Sequence, residues 1–81
     1  MRFEKGTYAQ VTIKSEIEYK ENGEVESSTS HYFADSQSVF DLLIDYFDYD
    51  TAADAESWTE LACVGEIYEN DDFEIEMMEG K

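Results

Sequence analysis

Sixty consecutive residues, Glu21 to Gly80, carry eighteen carboxylates and no lysine or arginine. Like charges brought together in a compact state repel, so such a chain either stays expanded or buries enough apolar surface to outweigh the repulsion. The five bases are Arg2, Lys5, Lys14, Lys20 and Lys81, and the formal net charge is −16. Disorder requires low apolar content, but 42% of residues are hydrophobic and 15% aromatic. These residues fall in patterned runs, which predicts a folded acidic domain. The 81 residues suit one domain, 1–81, with no room for two cores.

Residues 8–20, YAQVTIKSEIEYK, alternate as a half-buried strand. Ala9, Val11, Ile13, Ile17 and Tyr19 share one face, while Gln10, Thr12, Lys14, Glu16 and Glu18 take the other. Asn22-Gly23 then signals a hairpin. A two-residue turn would set Ile17 and Tyr19 beside Ser28 and Glu26. A three-residue turn, with Gly23 left-handed and Lys20 opposite Glu24, instead puts Val25, His31 and Phe33 on the apolar face. A one-residue slip exchanges faces, so the second register is expected.

The segment 39–50, VFDLLIDYFDYD, has helical periodicity after two good N-cap candidates, Asp35 and Ser36. Its apolar residues, Val39 to Phe47, cover about 200° of the circumference, which predicts burial against both a sheet and a second helix. Asp41, Asp45 and Asp48 lie on the opposite face. Asp50 falls on the apolar side, so the helix is expected to end before it. Thr51-Ala52-Ala53-Asp54 reads as a capping box opening a second helix. Its inward stripe is Ala55, Trp58, Leu61 and Ala62, Glu56 and Glu60 point away, and Gly65 is the expected stop. Residues 66–69 read as extended. In a final strand, Phe73, Ile75 and Met77 alternate with Glu74 and Glu76. The order β-β-α-α-β predicts an α+β fold, a small antiparallel sheet with two helices packed on one face.

Little in this chain points to catalysis. His31 and Cys63 are each alone of their kind and fall in different predicted elements. A strand histidine on an apolar face reads as a satisfied structural residue, and a helical cysteine as a small buried hydrophobe. No phosphate loop, nucleophile elbow or Cys/His metal spacing is present, so neither catalytic residues, metal nor cofactor are expected. An EF-hand starting at Asp48 would need an acid, a glycine and a glutamate where Ala52, Ala53 and Thr59 stand. One cysteine excludes an intrachain disulfide. No secretory leader and no membrane-spanning stretch is visible, and an anionic surface repels anionic lipid, so a cytoplasmic location is expected.

The acids therefore matter as a surface. Glu16, Glu18, Glu26, Glu74 and Glu76 are expected to face outward from the sheet, and Glu56 and Glu60 from the second helix. Along the first helix, Asp41 to Asp45 is about 6 Å and Asp45 to Asp48 about 4.5 Å. Successive phosphates of one DNA strand advance about 3.4 Å, a spacing of the same order. Short acids on a helix hold charge in one place, so such a row is suited to meet the Lys/Arg of a basic groove. Repulsion of this kind raises the average carboxyl pKa on folding. Stability is then expected to fall as pH rises through the acidic range and to increase with salt. A solvated face and halophilic acidity are the simpler readings. A solubilising surface, however, normally mixes both signs.

In size, acidity and lack of catalytic residues, the chain resembles phage-type inhibitors as a class: anti-CRISPR proteins, anti-restriction proteins and uracil-DNA glycosylase inhibitors. The resemblance rests on overall character and on no residue string. It implies a stoichiometric inhibitor, nucleic-acid mimic in nature, whose partner is a basic nuclease or CRISPR effector and which binds no nucleic acid itself. Candidate contacts are Asp41, Asp45, Asp48, Tyr49, Asp50, Glu56, Glu60, Glu16, Glu18, Glu26, Glu74 and Glu76. Tyr49 and Tyr68 are possible apolar anchors, with core packing the alternative for both. An antitoxin or immunity-type protein neutralising a basic toxin, or an acidic adaptor, fits the same charge. Oligomeric state is open.

Overall fold

In the computed structural model, which describes residues 1–80, two strands form the centre of the molecule. These are β1 (Thr7–Ile13) and β6 (Phe73–Glu79), paired antiparallel along their whole length from Thr7↔Glu79 to Ile13↔Phe73. Alternation explains which of their faces is buried. Ala9, Val11, Ile13, Phe73, Ile75 and Met77 are each at most 1% exposed and all lie on one face. Each pairs on both of its sides, which puts these two strands at the middle of the sheet.

The edges are shorter. On one side β4 (Ser30–Phe33) pairs with β1, and on the other β5 (Ile67–Glu69) pairs with β6, giving the all-antiparallel order β4-β1-β6-β5. A separate ribbon joins β2 (Glu18–Tyr19) to β3 (Val25–Ser27). Its turn is the expected three-residue one. Gly23 has φ +91°, Lys20 N–H donates to Glu24 C=O at 2.6 Å, and Gly23 N–H donates to Lys20 C=O at 2.9 Å. Only glycine takes that conformation without a Cβ penalty.

The long predicted strand is broken, however. A 3-10 turn at Lys14–Glu16 separates β1 from β2, and the ribbon forms its own two-stranded sheet. His31 and Phe33 stay on the core face, opposite Val11 and Ala9. Val25 and Tyr19, expected on that face, are 54% and 59% exposed.

Two helices cover the same face of the sheet. α1 (Ser36–Tyr46) is capped by Asp35, whose Oδ1 accepts from Ser38 N–H at 2.7 Å. It buries Val39 and Leu43, with Phe40, Leu42, Ile44 and Phe47 packed at the margins. The wide apolar arc is thus shared between sheet and second helix, as its width predicted. α2 (Tyr49–Leu61) follows after only Phe47 and Asp48. The expected capping box at Thr51 is displaced: Asp48 is the cap, and its Oδ1 accepts from Thr51 N–H at 3.1 Å.

The helix therefore starts earlier than expected and its inward stripe is Ala52, Ala55 and Thr59, with Trp58 half-buried against Tyr68. Leu61, expected inside, is 86% exposed. Cys63, expected inside the helix and buried, lies exposed beyond its C-cap. Gly65 (φ +94°) does not stop α2, which ends at Leu61. It turns the chain into β5, its N–H donating to Met77 C=O at 2.8 Å. With one sheet face left uncovered by the helices, the body is a slab of 41 × 32 × 16 Å. Among the described residues, no helix is long and apolar enough to cross a membrane.

Candidate partner-binding surfaces

Folding distributes the expected contact residues over five places. On α1, Asp41 and Asp45 are exposed and one turn apart. Asp41 accepts from Gln37 Nε2 at 2.9 Å. Together with His31, Phe33, Ser38 and Leu42 they line a shallow groove of about 400 Å³ between α1 and β4. Asp48 does not extend this row. Thr51, through its hydroxyl and its backbone N–H, holds the Asp48 carboxyl below the usual range, so this acid is engaged in starting α2. Asp35 is held down in the same way by Ser38.

On α2, Asp50 sits in the first turn, where the helix dipole favours a negative charge. Tyr49 is 66% exposed with its ring edge-on to Phe40 at 5.6 Å, while Tyr68 is partly buried between Trp58 and Phe73. Glu56 is half-buried. Glu60 was expected to point freely outward but reaches back to α1, its Oε2 accepting from Ser36 Oγ at 3.1 Å and lying 3.9 Å from the Met1 amine.

Glu16 departs furthest from expectation. Instead of facing outward it sits in the 3-10 turn and folds onto the helix side. There it accepts from His31 Nε2 at 2.9 Å and from Tyr46 Oη at 2.8 Å. His31, first, and Tyr46 hold its carboxyl below the ordinary 4.5. The contact clamps β4, α1 and the turn together, and it gives His31 a structural partner. Phase counting missed it because the count assumed one unbroken strand.

Because the folded carboxyl is the more acidic one, this contact stabilises fully above pH 4.5 and is lost as pH falls through the lower folded value. At Glu16, Asp35 and Asp48, local hydrogen bonds thus act in the opposite sense to diffuse repulsion. Glu16→Gln should accordingly lower the melting temperature most near neutral pH, with the gap from the parent closing toward pH ~3. A gap that is independent of pH between those limits would show that the carboxylate charge plays no part in the clamp.

The remaining acids lie on the ribbon and on the open face of the sheet. Glu18 and Glu26 are exposed on β2 and β3, with Glu18 accepting from Ser27 Oγ at 3.3 Å. Glu74 and Glu76 lie on the outer sheet face, as expected. The register places Glu76 in one rung with Tyr32, Gln10 and Ile67, and Glu74 in the next rung with Ser30, Thr12 and Glu69. Lys14 Nζ bonds Glu69 at 3.0 Å, with Asp71 and Glu74 also nearby.

Among the described residues, the salt bridges are those of Lys14, His31 and the Met1 amine, each with one glutamate. Most of the remaining carboxylates among the described residues make no salt bridge, although Arg2 lies near Asp35 and Lys14 also near Asp71 and Glu74. The chain matches no family model, no curated protein and no solved structure.

Proposed function

We propose that this chain is a stoichiometric protein inhibitor, acting in the cytoplasm, whose acidic surface occupies the basic nucleic-acid-binding site of a nuclease or CRISPR effector. The observation that supports this reading is the uncompensated charge. A domain carrying −16 pairs only three of its carboxylates with a cation or histidine among the described residues. Self-repulsion on that scale opposes the folding of a small domain. A cationic partner relieves it, which makes association favourable for both molecules. The Lys/Arg side chains that normally hold phosphates would meet carboxylates instead. Counterions released from both surfaces would make the affinity steeply salt-dependent.

The test is a competition assay. A guide-loaded CRISPR effector and a restriction nuclease, each with labelled duplex DNA, are titrated with the chain at several salt concentrations. Loss of DNA binding at one equivalent, reversed by excess DNA and weakened as salt rises, is the expected result. An inhibitor that DNA does not displace, or direct binding of DNA by the chain, contradicts mimicry.

A further inference from the structure

The open face of the sheet carries a pattern that solvation does not explain. Both helices lie on the other side, so neither helix covers this one. Tyr32, 60% exposed, and Tyr8 meet across β4 and β1 as an edge-to-face pair with centroids 5.7 Å apart. Ile67, 55% exposed, closes the same rung at the opposite edge. Glu76 stands in this rung between Tyr32 and Ile67, and Glu74 stands in the next rung between Thr12 and Glu69, about 7 Å away along the strand. Among the described residues, Lys14 at the corner of this face is already bonded to Glu69.

We propose that this face docks an arginine-bearing surface of a partner protein, and that it is the part of the acidic surface that makes the contact in the inhibitory reading above, on which this inference rests. Charge complementarity joined to shape favours arginine as the docking group. Guanidinium groups stack on tyrosine faces and bind carboxylates as a two-pronged fork, so a Tyr-Tyr pair beside two glutamates matches arginine better than lysine. The hydrogen-bonded sheet fixes these groups at defined positions, and tyrosine is among the residues that dominate interface energy. A second copy of the chain is excluded as occupant by like charge, and nucleic acid by the same repulsion.

The experiment titrates the full ¹⁵N-labelled chain with nona-arginine and, separately, nona-lysine. Amide shifts are expected to concentrate on β1, β4 and β6, with nona-lysine binding more weakly. Tyr32→Leu should weaken nona-arginine binding roughly two- to fivefold, the range of an exposed cation–π contact, whereas Tyr32→Phe should retain it. Glu74→Gln with Glu76→Gln should weaken both peptides. Tyr32 is exposed, and an unchanged spectrum of the free variant confirms its fold.

Shifts centred on Asp41 and Asp45, or spread evenly over all acidic positions, would overturn the assignment to this face while leaving the inhibitory reading intact. Equal binding of both peptides, with Tyr32→Leu unchanged, would remove the arginine preference. No binding of either peptide at low salt would overturn both readings together.

Discussion

Leu43→Ala is expected to lower the melting temperature by roughly 10–30 °C, because a large-to-small core change costs about 2–5 kcal/mol and each kcal/mol shifts a domain of this size by about 4–8 °C. Leu43 has no exposed surface and lies in one cluster with Val39 of its own helix, Ala52 and Ala55 of α2, and the inner faces of β1 and β6. Its partners across the helix interface are alanines, too small to move into the space left behind. The whole stability of an 81-residue domain is of order 4–12 kcal/mol, so the variant is marginal or unfolded. Leu61→Ala is the matched control. Leu61 is 86% exposed, and its removal should change stability by less than about 0.5 kcal/mol. Thermal melts of the two variants, followed by circular dichroism, decide the matter. Comparable losses would mean that α2 is rotated from the position described.

Phe73→Ala should be at least as damaging, at about 3–5 kcal/mol. Phe73 is the largest fully buried side chain. Its ring lies 5.3 Å from that of Phe47, in the two-residue link between the helices, and 5.8 Å from that of Tyr68 on β5. One side chain therefore ties the inter-helix link, the central strand and the edge strand. Phe73→Leu keeps most of the volume and loses the aromatic contacts, so it should fall between parent and alanine. Denaturant midpoints of the three proteins give the order. Phe73→Ala melting with the parent would show that the link and β5 are held by other contacts.

Much of this architecture was legible in the residues because it follows from local rules. Alternation through Ala9, Val11 and Ile13, and again through Phe73, Ile75 and Met77, identifies two strands and which of their faces is buried. Gly23 fixes the turn register, since the alternative would exchange the faces of the returning strand. Asp35 and the wide apolar arc from Val39 to Phe47 set the first helix and its two-sided burial. Of the candidate contact residues, Glu74 and Glu76 fell where alternation put them. A period read within a short, unbroken element predicts orientation well.

The same reasoning failed wherever an element ended without a glycine or proline to mark it. Counting faces through residues 8–20 sent Glu16 outward and Tyr19 inward, because nothing nearby announces the 3-10 turn at Lys14–Glu16. That turn is held from a distance, by Lys14 N–H on Asp72 C=O at 2.9 Å and by Glu16 on His31 and Tyr46. A similar reset occurs at Asp48, where a carboxylate counted as part of the α1 row became the cap of α2 and turned Leu61 out to solvent. By itself the sequence determined an α+β fold, the buried faces of its two central strands, the start of its first helix, and a charge far out of balance. Only the tertiary structure decided which acids remain free. A carboxylate's availability depends on donors remote in the chain, and no periodicity along the chain records where those donors come to rest.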